Sequence, residues 1–147
     1  MTEIMYTWND FDKDIDFLVQ QITYSNWIPD YIVGVKRGGL IPAVKISQLL
    51  RKPLMIMSCQ LRDGIDNQIN LLEVEHIDKD SKIIIVDDIC DSGKTFETIT
   101  KVIAHHAYVK YLALYYNTSQ DFKIDYAANL IDRTRDNRWI IFPWEKK

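Results

Sequence analysis

Cysteine is nearly absent from this chain of 147 residues, with Cys59 and Cys90 the only two. They lack metal-ligand spacing, and each lies beside a run that reads as a buried strand. Reduced core thiols are therefore expected, not a disulfide framework or a zinc site. No apolar stretch approaches the roughly 20 residues of a bilayer span, and Met1 to Tyr6 lacks the basic segment and apolar run of an export signal. A cytoplasmic protein without a membrane span is the expectation. Positive charge is not in excess either: 18 Lys and Arg stand against 21 Asp and Glu, and the basic residues are scattered. That excludes a broad cationic face and general nucleic-acid binding, so any anion site must be local. Repeats, low-complexity tracts and linkers are also missing, which leaves one domain over residues 1–147, large enough for a single core.

What is present is an alternation of apolar patterns. Asn9 or Asp10 is expected to cap a first helix whose Phe11, Ile15, Leu18, Val19 and Ile22 form one stripe, ending near Ser25 and Asn26. Tyr31 to Val35 reads as a short buried strand. Leu40 to Leu50 reads as a helix with Pro42 in its first turn, and Pro53 marks the exit into a strand over Leu54 to Cys59. Ile83-Ile84-Ile85-Val86 is a β-branched run suited to a strand buried on both faces, and Phe96, Ile99, Val102 and Ile103 recur after it at helical spacing. Val109 to Tyr116 and Asn129 to Asp132 are further short strands. Between the strand over Leu54 to Cys59 and the β-branched run, Arg62 to Gln68 has no periodicity and carries Gly64, which predicts a mobile loop, so that Leu61 to Asn70 can close over a site. The alternation predicts an α/β fold: a single-domain parallel sheet flanked by helices on both faces, with ligands at the carboxyl ends of the strands.

Two turns on that rim carry chemistry. After the central strand come Asp87-Asp88-Ile89-Cys90-Asp91-Ser92-Gly93-Lys94-Thr95. Ser92, Gly93, Lys94 and Thr95 supply close approach, hydroxyls and a cation where a helix begins, which suits a phosphate. Asp87 and Asp88 sit at the strand end, placed to accept from sugar hydroxyls or to face a Mg²⁺ ion. The string is not a P-loop, since carboxylates stand where that loop has glycines. Asp91 or Ser92 taken alone would suit a plain helix cap. Lys36-Arg37-Gly38-Gly39 repeats the strand-to-helix geometry with two cations and two glycines, which suits a diphosphate. Near the terminus, Trp139 in Asn137-Arg138-Trp139-Ile140-Ile141-Phe142-Pro143-Trp144 can stack on a flat heterocycle, while Trp144 reads as a core or interface residue. His105 and His106 close the helix after the acidic string and His76 lies in a polar connector. All three are assigned to the surface, because none has a nucleophile or metal partner at recognisable spacing.

The Asp87 to Thr95 string resembles the phosphoribosyl-diphosphate signature of the type I phosphoribosyltransferases. The Lys36 to Gly39 loop, Thr7-Trp8 and the Trp139 to Trp144 segment are similar to the xanthine-guanine branch of that family over nearly the whole chain. The resemblance implies a type I phosphoribosyltransferase fold with a small C-terminal base-binding hood. It also implies transfer of 5-phosphoribose from phosphoribosyl diphosphate to a purine base (guanine, xanthine or hypoxanthine), in purine salvage, with release of pyrophosphate. Mg²⁺ is the implied cofactor, held at Asp88 and Asp87. Asp91 would be the general base, and Asp87, Asp88, Asp91, Ser92, Gly93, Lys94 and Thr95 would bind ribose and 5′-phosphate. Lys36, Arg37, Gly38 and Gly39 would bind pyrophosphate, with a non-proline cis peptide before Arg37. Trp139 would stack on the base and Ile140 would read it through its backbone. A homo-oligomer, dimer or tetramer, is implied too.

Two departures qualify the likeness. Asn117 stands where the family has a Lys donating to the purine 6-oxo group, so a 6-oxo base, a 6-amino base and another heterocycle all stay open. Cys59-Gln60-Leu61-Arg62-Asp63 replaces the loop's Ser-Tyr pair, although Asp66-Asn67-Gln68 matches. Alternatives are a non-catalytic nucleotide-sensing regulator of the same fold, a phosphoribosyltransferase for a different base, or an unrelated phosphate-binding α/β domain.

Overall fold

The structure is a computed structural model that describes residues 2–61, 68–105 and 107–145. Strand β1 (Glu3–Met5) leads into helix α1 (Trp8–Tyr24), then β2 (Tyr31–Lys36), α2 (Leu40–Leu50), β3 (Leu54–Gln60) and β4 (Gln68–Asn70). A 3₁₀ turn over Leu72–His76 precedes β5 (Lys82–Cys90), α3 (Lys94–Ile103), β6 (Tyr108–Asn117), β7 (Tyr126–Ile131) and β8 (Trp139–Ile141). Six strands form the main sheet in the order β4-β3-β2-β5-β6-β7. All its neighbours are parallel except β4, which runs antiparallel to β3.

The unbroken apolar run in β5 is explained by burial on both faces. Ile84 and Val86 point to the layer that holds Phe11, Ile15, Leu18 and Ile22 of α1 with Ala43 and Ile46 of α2. Ile83 and Ile85 point to the opposite layer with Phe96, Ile99 and Ile103 of α3. A strand with period-two side chains and a helix layer on each side must be apolar at every position. Burying each such side chain contributes about 1.5–3 kcal/mol, so β5 is the fixed axis from which the Asp87 to Thr95 turn departs. The expected helices on both faces and the parallel sheet are thus present, with one antiparallel edge strand.

Several element limits differ from the sequence reading, and four differences change a cap, a strand or a sheet. Thr7, not Asn9 or Asp10, caps α1: Asp10 N–H donates to Thr7 Oγ1 at 3.1 Å, and Thr7 N–H donates to Asp10 Oδ2 at 2.9 Å. This reciprocal pair closes a capping box with Asp10 at its third position. Strand β7 begins at Tyr126 and ends at Ile131, where Asn129 to Asp132 was expected, because Tyr126 is buried and its hydroxyl lies 2.8 Å from Ser25 Oγ of the α1 cap. Gln68–Asn70 pairs with Ser58–Gln60 as a strand and is not loop. The core of the expected closing loop, residues 62–67, lies outside the described residues, as does His106.

The fourth difference is a small second sheet. Strand β1 runs parallel to β8 with Ile4 opposite Ile140, so the two ends of the chain together build a cover above the carboxyl end of the main sheet. Ile140 is buried, and Trp8, Phe11, Tyr6, Phe142 and Trp144 pack edge to face or stacked beneath it. Among the described residues no helix is long and apolar enough to cross a membrane.

Candidate active site

The Lys36 to Gly39 loop leaves β2 beside the end of β5. The peptide between Lys36 and Arg37 is cis. Gly39 N–H donates to Val35 O at 2.9 Å and Leu40 N–H to Arg37 O at 3.1 Å, which turns the chain directly into α2. A Cβ on Gly38 would strike the Asp88 carboxylate, and one on Gly39 would strike the Val86 carbonyl. Close approach to β5 therefore requires both glycines. Arg37 and Lys36 are exposed.

The two acidic residues were expected at the strand end, but β5 pairs with β6 as far as Cys90, so they lie within its last four residues, where their side chains fold back on the backbone. Asp88 N–H donates to Asp87 Oδ1 at 2.9 Å and Ile89 N–H to Asp88 Oδ1 at 2.8 Å. Burial pushes the Asp87 carboxyl well above the ordinary aspartate range, with the neighbouring Asp88 charge adding to it. Burial also raises Asp88, opposed by the hydrogen bonds it accepts. The same surroundings push the Cys90 thiol up to about 12, chiefly by burial and then by the charges of Asp87 and Asp91. Cys90 is buried, Cys59 is half-buried, and both are free thiols.

Beyond β5, Gly93 takes a φ of 81°, a left-handed conformation that glycine adopts freely, and a Cβ there would also meet Gln120 Oε1 at 2.5 Å. Lys94 N–H donates to Ser92 Oγ at 3.3 Å as α3 begins. A cavity of about 220 Å³ opens on this turn, lined by Asp87, Asp88, Asp91, Ser92, Gly93 and Thr95 among others. A larger one of about 990 Å³ is lined by Arg37, Gly38, Asp88, Trp139, Trp144 and Glu145 among others. Asp88 belongs to both, so the two turns face one continuous region. Lys36 and Lys94 are exposed and line neither cavity. Trp139 is 60% exposed, whereas Trp144 stacks on Phe142 with ring centroids 5.0 Å apart while also lining the larger cavity.

The amide of Asn117, expected to face the base, is engaged by protein groups. It is 6% exposed at the end of β6. Its Nδ2 donates to Asp91 O at 2.9 Å, and its Oδ1 accepts from Ser119 N–H at 3.0 Å, Ser119 Oγ at 2.7 Å and Arg133 N–H at 3.1 Å. With the amide so engaged, Asn117 ties together the segments after β5, β6 and β7. Arg133, which sequence reasoning missed, is the second member of this tie. Its Nε donates to Asp91 Oδ1 at 3.0 Å and its Nη2 to Asp91 Oδ2 at 3.4 Å, while Nη1 donates to Arg138 O at 2.6 Å and Asp136 O at 3.3 Å.

The sequence matches the family described as phosphoribosyl transferase domain over residues 1–146. The chain belongs to this family. It is 31% identical over 121 residues to a xanthine-guanine phosphoribosyltransferase of Cereibacter sphaeroides, covering 78% of this chain and 68% of that protein. The purine phosphoribosyltransferase of Pyrococcus horikoshii superposes with a TM-score of 0.84 at 31% identity, covering 100% of this chain and 96% of the other. The xanthine-guanine-hypoxanthine phosphoribosyltransferase of Helicobacter pylori gives 0.83 at 25% identity, covering 97% and 94%.

Within this phosphoribosyltransferase, the residues singled out from sequence divide by place. Asp87, Asp88, Asp91, Ser92, Gly93 and Thr95 share the smaller cavity; Arg37, Gly38 and Trp139 join Asp88 at the larger one. Ile140 turns its side chain into the core beneath β1, and Gly39 packs on the β5 backbone. His76 and His105 are exposed. No sequence pattern pointed to Arg133, which sits in the charged segment Asp132-Arg133-Thr134-Arg135-Asp136.

Proposed function

We propose that the protein is a purine phosphoribosyltransferase of nucleotide salvage, joining a ring nitrogen of guanine, xanthine or hypoxanthine to C1 of 5-phosphoribosyl diphosphate and releasing pyrophosphate and the nucleoside monophosphate. The observation that carries this reading is the meeting of two anion-binding turns across Asp88, beneath an exposed Trp139. Backbone N–H groups and the hydroxyls of Ser92 and Thr95 at the start of α3 hold the 5′-phosphate, with Gly93 giving close approach and Lys94 adding positive charge from the rim. Asp87 and Asp88 accept from the ribose hydroxyls. Arg37, supported by Lys36 and the backbone at Gly38 and Gly39, holds the diphosphate and stabilises charge on the leaving group. Trp139 stacks on the base, with the Ile140 backbone beside it, and Asp91 takes the proton released from the ring as the new bond forms.

Asp87 and Asp88 suit Mg²⁺. They are an all-oxygen pair whose ionisation is opposed by burial, and a cation beside them would relieve that cost. Mg²⁺ is commonly bound through one or two carboxylates together with substrate oxygens, and Asp87 and Asp88 would supply the carboxylates here. When bound, Mg²⁺ would offset the charge of the diphosphate. A cytoplasmic location and assembly as a homo-oligomer belong to the same proposal and are supported by family membership.

Incubation with Mg²⁺, phosphoribosyl diphosphate and a panel of bases should release pyrophosphate only when a purine is present. Asp91→Asn should bind phosphoribosyl diphosphate as the parent does and turn over about 10²–10⁴-fold more slowly, the usual contribution of a general base. No base-dependent pyrophosphate from the parent would sink the reading; an Asp91→Asn variant as fast as the parent would remove Asp91 from its role.

A further inference from the structure

Arg133, which lines neither cavity itself, grips Asp91 of the smaller cavity in an arrangement that the mechanism above does not use. A guanidinium has five N–H donors and no acceptor. Four are engaged among the described residues: Nε and one N–H of Nη2 with the Asp91 carboxylate, and both of Nη1 with the carbonyls of Asp136 and Arg138. The fifth, on Nη2, has no protein partner there and lies beside Asp91 Oδ2, which carries only the long 3.4 Å bond. The side chain of Arg133 is 18% exposed and that of Asp91 45%, so the guanidinium is held in place while the carboxylate opens to the cavity. The Arg138 carbonyl that anchors Nη1 belongs to the residue immediately before the exposed Trp139. Stacking surface, fixed donor and open acceptor are thus held by one network. Asn117, which could have offered either polarity, is turned into that network by its own hydrogen bonds.

We propose that Asp91 and Arg133 together read the edge of the base, and that Arg133 selects 6-oxopurines over 6-aminopurines. The inference rests on the reading of the chain as a purine phosphoribosyltransferase and names its substrate class. A 6-oxopurine carrying its imidazole proton at N7 presents an N–H beside a C=O, matching the carboxylate acceptor and the guanidinium donor. N9 attacks C1, the C1–O bond to pyrophosphate breaks with its electron pair on the leaving group, and the N7 proton passes to Asp91. A 6-amino group would set donor against donor, and a guanidinium can neither turn acceptor nor lose its proton.

The test compares the parent with Arg133→Met and Arg133→Lys. Rates with hypoxanthine and adenine are measured at saturating phosphoribosyl diphosphate and Mg²⁺, and calorimetry follows binding of inosine and adenosine monophosphates. Circular dichroism checks folding. The parent should favour hypoxanthine in kcat/KM by at least about tenfold, and Arg133→Met should remove most of that ratio, since a donor built for a substrate oxygen is what rejects its analogue. Arg133→Lys keeps a cation and a donor, so it should lose rate for both bases while holding the ratio. The ratio cancels any loss that Asp91 suffers for both bases alike. An unchanged ratio in Arg133→Met, with both rates reduced equally, would make Arg133 a support for Asp91 only and overturn the selection. A parent that transfers to neither base would defeat the activity reading, and the nucleotide arm would then decide this inference: tighter inosine monophosphate binding that Arg133→Met abolishes upholds it, and equal binding of the two nucleotides overturns it.

Discussion

Asp87 and Asp88 carry opposite demands at the scale of single residues. Their backbone bonds fix each carboxylate, yet burial lifts both above the ordinary aspartate value of 3.8. A carboxyl whose folded value is raised contributes stability that is fully present below the unfolded value and is lost as pH climbs through the folded one. The free protein should therefore lose stability between the ordinary aspartate value and the raised one, and ligand or cation binding should restore it at neutral pH. Asp87→Asn keeps an oxygen to accept from Asp88 N–H and removes the charge. In the absence of ligand it should raise Tm near pH 7 by at least about 3 °C, the shift that 1 kcal/mol makes in a domain of this size. The gain should close as pH falls below 3.8. Thermal scans across pH check this, and a gain that stays constant with pH would show that ionisation is not its source. That the two turns lie near one another was legible in the sequence, because each follows a strand of one parallel sheet and opens a helix. Arg133 was not, since its partner Asp91 lies 42 positions away and only folding brings them together.

At the scale of elements, legibility followed the length of the apolar signal. Helix α2 runs from Leu40 to Leu50 as its pattern indicates, and β5 contains the β-branched run. Strands β1, β4 and β8 are three residues each, too short to show period two, and exist because a distant strand supplies their hydrogen bonds. The end of β6 shows the same limit for a side chain: Asn117 was placed correctly near the strand end, but the direction of its amide depends on Ser119, Arg133 and Asp91. A lysine at 117 would set a buried ammonium against backbone donors that now have an acceptor. Asn117→Lys should therefore lose at least about 3 kcal/mol in urea unfolding, from several unsatisfied groups and a buried charge. A variant as stable as the parent, with a sharpened preference for guanine, would return Asn117 to the base.

At the scale of the whole molecule, the sheet gathers the loops after β2, β5, β6 and β7 onto one rim, and the two chain ends close over it as β1 and β8. On the proposed function this arrangement would divide one ligand between two sources of positive potential: the α3 turn at the smaller cavity, and Arg37 with its glycines at the larger. The division predicts unequal effects on ligands that differ only in the diphosphate. Arg37→Ala removes an exposed guanidinium that packs into neither core, so the fold should persist. Phosphoribosyl diphosphate and pyrophosphate should each bind about 10–100-fold more weakly, the worth of a hydrogen bond to a charged group at roughly 1.5–3 kcal/mol. A nucleoside monophosphate, which on the proposed function would occupy the α3 turn and the Trp139 surface but carries no diphosphate, should change by less than about threefold, within what surface charge alone contributes. Calorimetry with the three ligands measures the difference, and equal losses for all of them would move the diphosphate site away from the Lys36 to Gly39 loop.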